Sequence, residues 1–122
     1  MKKVEAIIRP DRLQAVQDAL DALGASGVTV TEVLGCGQQR GYTETYRGAR
    51  VNISLQRKVK VESVVPDATL ASVVDAILGA ARTGEIGDGK IFILPVEDAV
   101  RIRTGERGEG TIQHVQPEHW GH

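Results

Sequence analysis

The chain has 122 residues, a formal net charge of −1 and a single cysteine. That length suits one compact domain with its own core, and the near-neutral charge excludes a global basic field that would recruit nucleic acid or an anionic membrane. One cysteine excludes an intramolecular disulfide and fits a reducing cytosol, and no apolar run approaches the roughly 20 residues that span a bilayer. Met1-Lys2-Lys3 leads into a strand pattern rather than a signal peptide, so we expect a cytoplasmic protein.

The first part of the chain has the pattern of a strand, a helix and a second strand. Alternation from Val4 to Ile8 predicts a strand of about seven residues. Pro10 fits the first turn of a helix, and Gly24 is typical of a helix C-terminus. The helix presents one apolar stripe, formed by Leu13, Val16, Leu20 and Leu23. The β-branched residues Val28, Val30 and Val33 then predict the second strand.

This pattern recurs later in the chain. Lys3-Val4-Glu5-Ala6-Ile7-Ile8 is echoed by Lys60-Val61-Glu62-Ser63-Val64-Val65, and the same spacing carries Leu13 and Val16 onto Leu70 and Val73. The second unit predicts a helix from Thr69 to about Ala81 and a strand from Lys90 to Leu94, which Pro95 ends. Two such units give βαββαβ, the α+β ferredoxin-like fold, with a four-stranded antiparallel sheet and both helices on one face.

The other face of that sheet is expected to be covered. Ile7, Val64 and Ile91 are too apolar for a fully wetted surface, and a large exposed apolar face normally marks an oligomer interface. We therefore expect a closed symmetric oligomer whose sheets turn inward.

A long polar segment separates the two units, over residues 35–57. Glycines punctuate it at Gly37, Gly41 and Gly48, and a loop near 20 residues is uncommon in a small domain. Such a loop is either functional or a long hairpin that only connects two strands.

The richest candidate site is the segment Arg82-Thr83-Gly84-Glu85-Ile86-Gly87-Asp88-Gly89-Lys90-Ile91-Phe92. Glycines let the backbone approach a ligand so that successive amides converge on an anion, and a lysine beside them supplies a charge for phosphate. Alternation along an extended segment would place Arg101 and Arg103 on one face. Together these features predict a polyphosphate cradle, although they match neither the Walker nor the Rossmann pattern and an ordinary surface turn remains the alternative.

Several motifs together resemble the PII nitrogen-regulatory signal-transduction proteins. The likeness runs from Met1 to about Glu106 and leaves a polar tail at 107–122. It is carried by Thr29-Val30-Thr31-Glu32-Val33, Gly35-Cys36-Gly37 with Gln39, Thr43-Glu44, Tyr46-Arg47-Gly48-Ala49, Lys58-Val59-Lys60, Thr83 to Phe92 and Arg101-Ile102-Arg103-Thr104-Gly105-Glu106.

The resemblance implies a homotrimer that binds ATP or ADP in clefts between neighbouring copies. It divides the chain into a domain at 1–106, with a long loop at 35–57, a phosphate loop at 82–90 and a C-terminal arm at 97–106, and the tail. The nucleotide-binding residues it implies are Thr29, Gly35, Cys36, Gly37, Gln38, Glu62, Val64, Gly87, Asp88, Gly89, Lys90, Arg101 and Arg103.

The resemblance also implies a 2-oxoglutarate site formed by Gln39, Gly41 and Lys58. Gln39 would help to hold Mg²⁺ together with ATP phosphates and the oxo acid, a set of oxygen ligands that suits this ion. Lys58 would meet the distal carboxylate at the base of the long loop.

Some positions depart from the family pattern. Val51 stands where many bacterial members carry a nucleotidylated tyrosine, and Ala49 where some photosynthetic relatives carry a phosphorylated serine, so neither covalent switch has an acceptor. Gln38 replaces an arginine that contacts ATP, which leaves the preference between ATP and ADP open. Arg47 matches the position that some relatives insert into the pore of an ammonium transporter, which would bring the protein to a membrane; a solvated loop arginine is the alternative. Tyr46 is the second residue expected to contact a partner.

The residue patterns bear on three classes of function. A non-enzymatic sensor of ATP, ADP and 2-oxoglutarate fits best, with targets such as an ammonium transporter, another transporter or a biosynthetic enzyme. A phosphoryl-transfer enzyme or acyl-phosphate hydrolase lacks a clear base or nucleophile, although slow ATP hydrolysis is compatible with the cradle. RNA binding is disfavoured because Phe92 is the sole aromatic in the predicted strands. In the tail, His114, His119, His122 and Glu118 are expected to be solvated rather than metal-binding.

Overall fold

The computed structural model describes residues 1–25, 27–36, 43–46, 49–52 and 55–112, with the backbone alone at 36, 43–46 and 49–52. Its strands are β1 Lys2–Ile8, β2 Thr29–Cys36, β3 Thr43–Tyr46, β4 Ala49–Asn52, β5 Leu55–Val65 and β6 Lys90–Pro95. Its helices are α1 Leu13–Ala22 and α2 Leu70–Ala81, and short 3-10 turns lie at Pro10–Arg12, Asp67–Thr69 and Glu109–Thr111. Within these residues no helix is both long and apolar enough to cross a bilayer.

The main sheet has four antiparallel strands in the order β2-β5-β1-β6. The helices α1 and α2 both pack on one face of it, so the predicted ferredoxin-like fold is confirmed. The repeat is equally visible: β1 and β5 pair along their length, and each is followed by a 3-10 turn and a helix. Gly24 follows α1 with a φ of 71°, as its place in the sequence predicted.

The core is aliphatic and lies between the helices and the two central strands. Alternate residues of β1 and β5 point into it, and matching positions of the two helices meet them. Its members are Val4, Ala6, Ile8, Val16, Leu20, Val59, Val61, Val65, Val73, Ile77 and Ala81.

The opposite side of the sheet, here called the open face, is more mixed than the sequence suggested. Ile7 and Val64 lie on it, as expected, but Ile91 does not: it pairs with the buried Ala6 and packs against the core. That prediction was wrong because a side chain's face depends on strand register, which composition does not reveal. Phe92 and Leu94 occupy the open face on β6 instead, 49% and 40% exposed.

Secondary structure continues into the segment at 35–57. β2 runs to Cys36 and β5 already begins at Leu55. Between them β3 pairs with β4 in a separate two-stranded sheet, with Thr43 opposite Asn52 and Tyr46 opposite Ala49. The segment is therefore in part a hairpin that extends beyond the main sheet.

Candidate anion-binding site

The loop between α2 and β6 has a backbone that side chains would disturb. Gly84, Gly87 and Gly89 have φ values of 89°, 99° and 98°, in the left-handed region that favours glycine. At Gly89 a Cβ atom would lie 1.7 Å from the carbonyl oxygen of Ile7, closer than any real contact. The loop therefore packs directly on the end of β1, and glycine is required there.

Asp88 anchors this loop from within. The backbone N–H groups of Thr83 and Gly84 each donate to Asp88 Oδ2 at 2.8 Å. The hydroxyl of Thr83 and Nε of Arg9, the latter at 2.9 Å, donate to Asp88 Oδ1. The Thr83 hydroxyl first, and then Arg9, hold the pKa of this carboxyl far below its ordinary value, so Asp88 stays ionised.

Three cationic side chains hold the backbone of the same region. Nη2 of Arg9 donates to the Ile86 carbonyl at 2.7 Å, and Nζ of Lys58 donates to the Gly87 carbonyl. Nε and Nη2 of Arg12 both donate to the carbonyl of Ala80, at 2.9 and 2.6 Å, in the last turn of α2. Desolvation first, and the nearby Arg9 second, lower the pKa of Lys58, while Asp88 opposes the shift.

The structure brings together one group of the predicted site residues. Gly87, Asp88 and Gly89 share the loop with Lys58, and Lys90 begins β6 beside them. Gly35 belongs to the same group, because a Cβ atom on it would lie 3.4 Å from Cγ of Lys58. Within the described part of the chain, Lys90 has no ion-pair partner, which leaves its charge available to a ligand.

A second group of predicted site residues, Thr29, Glu62 and Val64, lies elsewhere on the open face. Thr29 pairs with Glu62 on β5, at the sheet edge opposite to Lys90. Glu62 forms ion pairs with Lys3 and Lys60, and the hydrogen bond from Lys3 is the main reason its pKa is lowered. Val64 is half-buried on the same strand. Among the described residues of one copy, no hydrogen bond or ion pair joins Thr29, Glu62 or Val64 to the loop.

The arginine pair at 101 and 103 was wrongly predicted to be extended. Residues 101–104 form a turn, closed by the Gly105 N–H donating to the Arg101 carbonyl at 2.7 Å. The guanidinium of Arg101 donates to Glu106 Oε1 at 3.1 Å and to the carbonyls of Gly110 and Thr111. Arg103 is exposed and, among the described residues, has no ion-pair partner. A glycine and an acidic residue soon after the pair signalled this turn.

Some predicted residues cannot be placed. Cys36 and Tyr46 lie in strands whose backbone alone is described at those positions. Outside the described residues lie Gly37, Gln38, Gln39, Gly41 and Arg47, together with the tail residues His114, Glu118, His119 and His122. Among the described residues, no three His, Cys, Asp or Glu side chains are grouped so as to hold a metal ion.

Arg9 and Arg12 were missed by the sequence reading. Their partners lie far along the chain, so no local pattern connects them. One signal was present: Arg9 directly follows the first strand where the second repeat has Pro66, and a difference between otherwise similar units marks a position with its own role.

The arrangement is suited to binding an anion. Arg9, Lys58 and Lys90 surround a loop in which the Asp88 carboxylate already accepts four hydrogen bonds from the protein. Two of the loop's carbonyls, at Ile86 and Gly87, accept hydrogen bonds from Arg9 and Lys58. Glycine-rich backbone is a recurrent part of phosphate-binding loops.

Comparison with known proteins gives a consistent result. The family model described as nitrogen regulatory protein P-II matches residues 1–106. Relatives named nitrogen regulatory protein P-II, from Microchaete diplosiphon and Nostoc punctiforme, are 60% and 59% identical over 112 residues, which is 92% of this chain and all of each relative. One from Cereibacter sphaeroides is 54% identical over the same shares of both chains. With this match and the ferredoxin-like fold, the chain belongs to the PII family of nitrogen regulatory proteins.

Proposed function

We propose that this PII protein is a non-enzymatic sensor that binds ATP or ADP at the loop between α2 and β6. Mg²⁺ and 2-oxoglutarate would join ATP, with Gln39, Gly41 and Lys58 as their contacts. The occupied states would set the shape of the segment at 35–57, which regulates a nitrogen-metabolism target such as an ammonium transporter. Because Val51 offers no hydroxyl, tyrosine nucleotidylation plays no part in this regulation.

The observation that carries the proposal is the construction of the phosphate loop. Positive φ at Gly87 and Gly89 lets the backbone curve tightly against β1, and cations draw the carbonyls of Ile86 and Gly87 to one side. Lys90 begins β6 at the loop exit and has no ion-pair partner among the residues that the structure describes. A nucleotide's phosphates are the ligand class that such a site suits best.

The separation of the two groups of site residues supports a site shared between copies. Thr29 on β2 and Lys90 on β6 lie at opposite edges of the sheet, roughly 14 Å apart for three strand spacings. Between them stands the ion-pair network of Lys3, Lys60 and Glu62. If a neighbouring copy supplies the Thr29 edge, both groups can contact one nucleotide. A homotrimer with inward-facing sheets would also cover Phe92 and other apolar residues of the open face.

Lys58 offers a link between the two ligands. Its Nζ now donates to the Gly87 carbonyl in the phosphate loop, and it lies on β5 close to Gly35, at the base of the long segment. A carboxylate of 2-oxoglutarate would compete for this ammonium group, so oxo-acid binding would alter a contact of the phosphate loop. Regulation then follows from the different affinities of each ligand for the two arrangements.

The Mg²⁺ site fits the described residues only in part. Asp88, an acidic residue of the loop, has both carboxylate oxygens occupied by protein donors. The ion would therefore take its oxygen ligands from ATP, from 2-oxoglutarate and from the amide of Gln39. Gln39 would be the protein's ligand to the ion, whose positive charge would make the binding of ATP and of 2-oxoglutarate interdependent.

Titration calorimetry tests the proposal. We expect ADP and ATP to bind without 2-oxoglutarate, and 2-oxoglutarate to bind only with ATP and Mg²⁺ both present. Light scattering on the same sample should give the mass of three copies. Tight 2-oxoglutarate binding without nucleotide, or a single copy with no affinity for adenine nucleotides, would contradict the proposal.

A pull-down with the assembled protein addresses the target. We expect a partner to be retained in one ligand state, ADP or ATP with 2-oxoglutarate, and released in the other. An ammonium transporter retained only with ADP would identify the target and would account for location at a membrane. Equal retention in both states would show that the ligands do not control the interaction.

A further inference from the structure

Arg9 makes two different contacts with the phosphate loop from outside it. Nε donates to the carboxylate of Asp88 at 2.9 Å, and Nη2 donates to the carbonyl of Ile86 at 2.7 Å. One rigid, planar group thus fixes two points of the loop at once, which a lysine cannot do with the same geometry. Arg9 itself is positioned by Pro10, which follows it at the end of β1.

The contact with Ile86 determines where a neighbouring amide points. In a trans peptide unit the C=O and N–H groups point in opposite directions. Because Arg9 draws the Ile86 carbonyl toward itself, the N–H of Gly87 is turned to the opposite side. Lys58 holds the next carbonyl, that of Gly87, so two consecutive peptide units have fixed orientations.

The contact with Asp88 removes an electrostatic obstacle. An ionised carboxylate in a phosphate loop would repel a polyphosphate, but Arg9 and the backbone of Thr83 and Gly84 neutralise and satisfy it. The Arg9 and Asp88 side chains are only 27% and 24% exposed, so their pairing is screened less than a surface ion pair.

We propose that Arg9 is a positioning residue of the phosphate loop: it orients the Gly87 amide toward the anion and neutralises Asp88, without itself contacting the nucleotide. This inference rests on the proposed nucleotide binding. It extends the set of residues that determine affinity to the turn between β1 and α1, which the sequence motifs did not include.

The test compares ADP and adenosine binding to the assembled protein, each by displacement of a fluorescent ADP analogue. Arg9→Gln should weaken ADP binding about 10- to 100-fold, the range for losing a hydrogen bond to a charged group. Adenosine has no phosphate, so its affinity should stay within about twofold if Arg9 acts only through the phosphate loop. Arg9→Lys keeps the positive charge but cannot make both contacts, so its ADP affinity should lie between those of the unmodified protein and Arg9→Gln.

Three further variants make the test specific. Asp88→Asn should also weaken ADP binding, and Arg9→Gln combined with Asp88→Asn should cost less than the product of the single losses because both remove one contact. Arg57→Gln is the matched control, because it also breaks an arginine–carboxylate pair, the one between Arg57 and Glu32. The side chains of Arg57 and Glu32 are 76% and 82% exposed. Arg57→Gln should leave ADP affinity unchanged.

The outcomes separate this inference from the proposed function. If the unmodified protein binds no adenine nucleotide, the proposed function fails and this inference fails with it. If the unmodified protein binds ADP and Arg9→Gln binds it equally well, only the inference is overturned. Equal weakening of ADP and adenosine would also overturn it, because that result indicates general loosening of the fold. Should Arg9→Gln not fold, the same comparison is made with Arg9→Lys.

Discussion

Replacing Gly89 with alanine tests how tightly the phosphate loop packs on β1. The residue has a φ of 98°, and an added Cβ would lie 1.7 Å from the Ile7 carbonyl oxygen and 2.8 Å from its carbon. These are backbone atoms of a central strand, so they cannot rotate away as a flexible side chain could. The loop must leave its position, or β1 must shift.

The cost can be estimated from two contributions. A non-glycine residue in this backbone region costs about 1–3 kcal/mol. Displacing packed backbone to admit a methyl group costs about 1–3 kcal/mol more. Gly89→Ala should therefore lower the free energy of unfolding by about 2–6 kcal/mol and abolish nucleotide binding, because the loop loses its shape.

Two other glycines provide matched controls. Gly84 has a φ of 89° but open space around its Cβ position, so Gly84→Ala should cost only the backbone strain, about 1–3 kcal/mol. Gly79 lies in α2 with open space, so Gly79→Ala should raise stability by about 0.5–1 kcal/mol. Urea unfolding followed by circular dichroism measures all three. If Gly89→Ala costs no more than Gly84→Ala, the close approach of the loop to β1 is refuted.

Three further predictions concern stability. Ser63 is buried with a hydroxyl that has no partner in the described structure, so Ser63→Ala should raise the unfolding free energy by about 1 kcal/mol in urea titrations; a loss would reveal a hidden hydrogen bond. Arg12→Gln should lower it by about 1 kcal/mol, because the Ala80 carbonyl loses its donors; an unchanged midpoint would show that Arg12 does not stabilise α2. The pKa of Asp88 is lower in the folded protein than in the unfolded chain, where it is about 3.9. Ionised Asp88 therefore stabilises the fold fully above the pKa of the unfolded chain, and this stabilisation is lost as the pH falls toward the pKa of the folded protein. Asp88→Asn should accordingly reduce the loss of stability between pH 7 and pH 3, and an identical loss in both proteins would contradict this.

The sequence predicted what depends on local pattern and repetition. Alternation in β1 and β5, and the apolar stripe that includes Val16 and Leu20, determined the element order and most of the core. The repeat then limited the topology, because two similar units of strand, helix and strand pack in few ways. The loop glycines were also recognisable, since their spacing between helix and strand is a local feature.

Features that depend on strand register or on partners distant in the sequence could not be predicted from local patterns. Ile91 was placed on the wrong face because only its pairing with Ala6 decides its orientation. Arg9 was overlooked because Asp88 is far along the chain and meets it only after the sheet has formed. The turn at Arg101 is closed by Glu106, a contact that an alternation rule does not anticipate. The failures at Ile91 and Arg9 concern tertiary contacts, whereas the turn at Arg101 is local and was signalled by Gly105 and Glu106.

We propose that phosphates bind at the loop of one copy while a neighbouring copy completes the site. Mixing two inactive variants distinguishes such a shared site from a site formed within a single copy. Lys90→Glu damages the loop side, and Thr29→Glu damages the opposite sheet edge, so neither should bind ADP alone. Refolded together in equal amounts, they should regain about a quarter of the sites, namely those that join two intact surfaces. If calorimetry detects no ADP binding by the mixture, although the unmodified protein treated in the same way binds it, the shared site does not exist.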